Sequence, residues 1–96
     1  MSVPSSIPFA IATKAELFSL EDARQISKWV LNRYTAKTVV IDLSRSSDAS
    51  TAAFAALVVL RKKLLRDGRD LRVSGLRDRA ENVFNVNRLQ TVLPLN

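Results

Sequence analysis

Two spacings of apolar residues alternate along this chain, and together they set out its elements. Phe9–Lys14 is a short apolar stretch behind Pro8 and reads as a strand. Ser19 is placed to cap a helix, with Asp22 three residues on completing a pattern like a capping box. That helix is expected to run to about Tyr34 and to bury Ala23, Ile26, Trp29, Val30 and Arg33 or Tyr34, which recur at helical spacing. Thr38–Leu43 is continuous and β-branched, the pattern of a central strand buried on both faces. A second helix spans about Ser50 to Asp67, with Gly68 where a left-handed carboxy-terminal cap is wanted. Leu71–Ser74 is a further strand. Arg77–Leu89 is a third helix with Ala80, Val83 and Phe84 inward, and a short apolar tail, Val92–Leu95, follows.

The order strand, helix, strand, helix, strand, helix predicts an α/β fold with a mostly parallel sheet and right-handed crossovers. Ninety-six residues, 47% hydrophobic and 25% charged, make one folded domain over residues 1–96 the expectation. The longest apolar run, Ala52–Leu60, is far below the roughly 18–20 residues that span a bilayer. Met1–Pro8 lacks the basic and apolar regions of a signal peptide, so a cytoplasmic location is expected.

Composition narrows the chemistry further. With no Cys and no His, the chain has no disulfide, thiol nucleophile or imidazole base, and almost no means of holding zinc. Its nine acids include no carboxylate pair placed to share a task, so no enzyme, no metal and no cofactor are expected. The net charge of +6 favours acidic partners. The basic residues are spread over three helices, and Phe9, Phe18, Trp29, Tyr34, Phe54 and Phe84 all stand at apolar positions, which argues against a base-stacking platform.

The second helix carries most of the information. Ala53, Phe54, Leu57, Leu60, Leu64 and Leu65 share one arc, the expected core face. Ala52, Ala55, Ala56, Val59, Lys62, Lys63 and Arg66 share the opposite arc, whose first two turns have no polar outward residue. Alanine there can serve helix propensity alone. It can also form a docking stripe, with Val59 as anchor and Lys62, Lys63 and Arg66 at the rim. The preceding loop, with Ser46, Ser47, Asp48, Ala49 and Ser50, is rich in hydroxyls. It falls at the carboxyl edge of a parallel strand, where sites tend to gather, and just before a helix end that favours anions.

These residues resemble a STAS domain, the fold of bacterial anti-sigma factor antagonists. The likeness rests on Val40–Ser44, the six-residue loop, Thr51–Leu57, the amphipathic Leu60–Leu65, Gly68, Leu71–Leu76 and the ending through Val83, Phe84, Leu89 and Val92–Leu95. It implies a four- to five-stranded, mostly parallel sheet with helices packed on it. The N-terminal strand pair would be shortened, since few residues precede Phe9. It also implies a cytoplasmic protein-binding module whose partner is an anti-sigma factor that is itself a serine kinase. In the family, a Ser in a D-S-S-G motif at the start of the second helix is phosphorylated by that kinase, and phosphate at a docking surface acts by charge and desolvation. Aligned without gaps, the motif falls on Ser50, Thr51, Ala52 and Ala53, so the acceptor position is Ala52 and has no hydroxyl. A second registration, on Asp48–Thr51, makes Ser50 the acceptor but turns the core face of the helix outward. Arg77 stands where a Ser-type cap is common.

The resemblance also covers small STAS proteins without the phosphoserine, which are constitutive subunits of phospholipid-transport ABC systems and meet the membrane only indirectly. A third reading is a nucleic-acid or anionic-surface binder using Lys62, Lys63, Arg66, Arg69, Arg77 and Arg79. A bare strand edge at the short N-terminus could pair two copies into a dimer.

Overall fold

The computed structural model describes residues 7–33 and 35–96. Tyr34, the expected end of the first helix, and the segment before Ile7 lie outside the described residues. Eight elements follow in order: β1 Phe9–Ala12, β2 Leu17–Phe18, α1 Leu20–Asn32, β3 Thr38–Asp42, β4 Asp48–Ala49, α2 Thr51–Arg66, β5 Asp70–Ser74 and α3 Asp78–Val86, closed by a 3-10 turn at Leu89–Thr91.

The expected α/β fold is observed, with all strand pairs parallel among the described residues, and the five strands there divide into two ladders. β1, β3 and β5 make a three-stranded sheet with β3 central, and β2 and β4 make a separate two-residue ladder. The division falls where Thr13 and Ser46 leave the ends of β1 and β3. Their hydroxyl oxygens lie 2.7 Å apart, and the Ser46 hydroxyl donates to the carbonyl of Ala15 at 2.6 Å. These bonds turn both segments out of the main sheet together.

Strand order 1-3-5 winds in one direction, so right-handed crossovers place the helices on one face. Buried residues of all three helices accordingly share one cluster with Val39, Ile41, Leu43, Leu71 and Val73. Phe54 is its centre. Its ring meets Phe18 edge-on at 6.3 Å and Phe84 at 5.6 Å, and it has no solvent exposure. Truncating such a ring to alanine costs about 3–5 kcal/mol. The central strand is buried on its second side as well, at Val40, although its register neighbours there, Ala10 and Arg72, are exposed.

Four residues expected inside are not fully there: Arg33 is exposed and Val83 half-buried, and Leu65 and Trp29 stand partly in solvent. Leu65 is 48% exposed and Trp29 38% exposed. The core arc of α2 ends at Leu64. Trp29 sits beside β1, the last strand of the sheet, so it has sheet beneath only part of its ring. Gly68 has φ +73° and closes α2 as expected: its N–H bonds the Leu65 carbonyl, and the Arg69 N–H bonds that of Leu64. The tail adds to the outer edge of β5, where Val73 donates to the carbonyl of Pro94 and accepts from the N–H of Asn96.

Candidate docking site between the first two helices

The β2–β4 ladder sets the position of this site. The Asp48 N–H bonds the Glu16 carbonyl and the Ser50 N–H bonds that of Phe18, both at 3.0 Å. Each short strand runs directly into a helix cap, so the ladder fixes the starts of α1 and α2 side by side. Ser19 caps α1 in a full capping box: its hydroxyl accepts from the Asp22 N–H at 3.2 Å, and its own N–H bonds the Asp22 carboxylate at 3.0 Å. Ser50 caps α2, accepting from the Ala53 N–H at 3.0 Å.

The expected hydroxyl-rich docking loop is therefore mostly occupied by internal bonds. Ser46 is fully buried and holds the chain ends together as described. The Ser47 hydroxyl donates to Glu16 at 3.1 Å. Asp48 accepts from its neighbour's N–H and lies 3.6 Å from the Arg79 guanidinium. Ala49 and Ala53 are buried in the core cluster. As corrections, then, Ser46 and Ala49 present no surface to a partner, and the Ser50 hydroxyl is committed to its cap, while Ala53 is in the core as its place on the helix predicts. Serine at such a position can serve solvent or structure; what decides here is a bond partner 31 residues away.

The stripe on α2 is exposed, and it has a second wall. Ala52, Ala55, Ala56, Val59, Leu60 and Lys63 line an open groove of about 510 Å³. Facing them from α1 are Leu20, Arg24, Ser27, Lys28 and Leu31. Because parallel strands lead into both helices, the two walls repeat the same steps, i, i+4, i+7, i+8 and i+11, from Leu20 and from Ala52. Val59 is 51% exposed, and Leu31 is similarly open. Alanine keeps the α2 wall low. Arg24, Lys28 and Lys63 ring the apolar floor with positive charge, while the Ser27 hydroxyl is tied back to the Ala23 carbonyl at 2.9 Å. Lys62 is exposed but outside the groove lining. The α1 wall was not singled out from sequence. Its available signal was Leu20 and Leu31, apolar residues off the core stripe.

Ala52 and Thr51 point to different places. Ala52 faces the α1–α2 groove, whereas Thr51 faces a second open groove with Arg79, Asn82 and Val86 of α3. The basic set is also dispersed. Arg69 is 9% exposed and donates to the carbonyls of Ala36 and Val30, and Arg77 donates to the Ser44 carbonyl and pairs with Asp78. Arg77, standing where a Ser-type cap is common, supplies none: α3 begins without a side-chain cap bond, on Asp78 at φ +53°.

A family model for the STAS domain matches residues 8–96. No curated protein matches significantly. Among solved structures, the fold is similar to a sulfate transporter family protein from Wolinella succinogenes, at 21% identity and TM-score 0.73, covering 97% of this chain and 75% of that one. It is also similar to the protein TM1081, solved by NMR, at 19% identity and TM-score 0.73, covering 91% of this chain and 71% of that one.

Proposed function

The chain belongs to the STAS domain family, and on that premise we propose that it is a non-enzymatic module that docks a partner protein in the α1–α2 groove. The observation that carries this reading is the groove itself: an apolar floor of Leu20, Leu31, Ala52, Ala55 and Val59 with a rim of Arg24, Lys28 and Lys63. Desolvation of the floor supplies affinity, and the rim selects a surface bearing carboxylates and speeds encounter. Ala52, at the position where the family's acceptor serine falls, lines this same groove. With a methyl group there, no phosphate can form at that position, which supports constitutive docking. The partner is an anti-sigma factor of the serine-kinase type, and the module acts in the cytoplasm. Among the described residues, no helix is long and apolar enough to cross a membrane.

A second reading is favoured by the same Ala52. A surface that cannot be switched off by phosphate also suits a permanent subunit of a phospholipid-transport ABC system.

Two aspartate variants separate the groove from the rest of the surface. Val59→Asp buries a carboxylate on docking, whereas Leu65→Asp alters an equally exposed apolar residue outside the groove lining. Affinity capture from the native host should lose one protein with Val59→Asp and keep it with Leu65→Asp, both variants melting like the parent. Capture unaffected by Val59→Asp refutes the groove as the site. The identity of the captured protein, kinase or transporter subunit, decides between the readings.

A further inference from the structure

The groove between α1 and α2 changes character along its length. Its mouth, at the starts of both helices, is apolar and low, with Leu20 on one wall and Ala52 and Ala55 on the other. The cations come later: Arg24 and Lys28 stand four and eight residues past Leu20, and Lys63 eleven past Ala52. Among the described residues, no acid lines the groove. α2 contains none, and Asp67 just past it stands outside the lining. So do the two acids of α1, Glu21 and Asp22, of which Asp22 is bonded to Ser19 in the capping box. Eleven helical steps cover about 16 Å, or three turns.

Resting on the reading of this groove as a docking site, we propose that its occupant is a single amphipathic α-helix of the partner, antiparallel to α1 and α2, with its carboxylates in its amino-terminal half. The walls select a helix. Both are helices in the same registration, and the apolar anchors of a guest helix, at i, i+3, i+4 and i+7, repeat at their period. An extended segment turns alternate side chains to opposite faces and keeps half of them off the floor. Ala52, Ala55 and Ala56 let a guest backbone approach α2. The cations select the direction. Carboxylates of the guest must lie at the end away from the mouth, where Lys28 and Lys63 stand. Helix dipoles favour a guest whose amino terminus meets the carboxyl ends of its hosts. Acids in the first turns of an antiparallel guest then meet Lys28 and Lys63 and suit the guest's own dipole as well. A parallel guest would carry them in its last turns, against its dipole. A second copy brings a net charge of +6 to a cationic rim, and a flat bilayer surface does not reach a floor set between two helices.

The probes are two blocked peptides of about 15 residues, enough for the three turns of the groove and one more. Both are alanine and leucine with an apolar stripe at helical spacing, and both are stapled on the outer face to equalise helicity. One carries glutamates in its first two turns, the other the same number in its last two. Each bears a neutral dye and is titrated with the full chain. Anisotropy should saturate for the first, and the second should bind about tenfold more weakly, the worth of one or two rim charge pairs. An unstapled form of the first with alternate D-residues keeps composition and charge, cannot form the helix, and should not saturate. Val59→Asp should abolish binding of the first peptide. Lys28→Glu, an exposed change off the floor, should weaken it about tenfold with melting unchanged. The proposal is overturned by no saturation up to about 1 mM, the weak end of specific binding. It is equally overturned by equal affinities for the two stapled peptides or for the D-alternating one. Cosedimentation with phosphatidylserine vesicles in place of peptide binding would assign the rim to a lipid surface and overturn it. So would a doubled mass in solution that Val59→Asp returns to that of one chain, which would assign the groove to a second copy. Loss of partner capture with Val59→Asp while neither stapled peptide binds overturns this inference alone. Capture unaffected by Val59→Asp overturns the docking reading and this inference with it.

Discussion

Gly68 and Gly75 have nearly the same backbone, φ +73° and +72°, but different surroundings, and that contrast yields a matched pair of substitutions. Alanine at either position places an L-residue in the left-handed region, at about 1–2 kcal/mol. The smaller entropy of the unfolded chain returns about 0.4–1 kcal/mol. Gly68→Ala meets nothing within 4 Å, so it should cost roughly 1 kcal/mol. A Cβ on Gly75 would lie 2.7 Å from the Ser44 amide nitrogen and 2.8 Å from the Asp42 carboxylate. Those two groups are bonded to each other at 2.9 Å, so neither can yield without loss of that bond. Overpacking of this kind adds about 1–3 kcal/mol. Gly75→Ala should therefore be the less stable of the two by about 2 kcal/mol, or roughly 8–16 °C in Tm for a domain of this size. Urea unfolding with a common m-value measures the difference. Equal stabilities would refute the claim that close approach at the carboxyl edge, rather than φ alone, requires glycine at position 75.

Three further outcomes follow from the site. Ser46→Ala removes the donor to the Ala15 carbonyl and leaves the buried Thr13 hydroxyl only its long 3.4 Å bond to the Asp42 carbonyl, and should cost about 1–3 kcal/mol by thermal melting. Ser50→Ala should cost about 1 kcal/mol, whereas Ser50→Asp, which keeps a capping oxygen, should stay close to the parent; equal losses would remove the cap from the account. Ala52→Asp puts an acid in the first turn of α2, which has none, so stability should hold or rise by about 0.3–1 kcal/mol while partner capture falls. A fall in both would mean the variant acts through the fold.

Three helices and the three longer strands were legible because each buries several residues at a steady period. β2 and β4 were not, since two residues show no period, and they exist only because each finds the other across more than thirty residues. The same distance hid the role of Ser46. Its hydroxyl belongs with the buried Thr13 rather than with solvent, and no local pattern says so. Leu65 and Trp29 show the limit of a helical wheel, which gives direction but not how far the neighbouring layer extends. Arg69 read as surface charge, yet its guanidinium serves the carbonyl of Val30 near the end of α1. Half of the groove was visible as the alanine stripe on α2. The α1 half needed the parallel registration of the two helices, which is a tertiary fact.

The small β2–β4 ladder has a mechanical consequence. It joins the starts of α1 and α2 by bonds from consecutive alternate amides, Asp48 and Ser50, so neither helix can slide or splay at that end unless both bonds break together. The mouth of the groove thus has a fixed gauge before any guest arrives. A guest that fits loses its own freedom on seating but demands little rearrangement of its host, so discrimination falls on the guest's width at Ala52 and Leu20 rather than on the work of opening the helices.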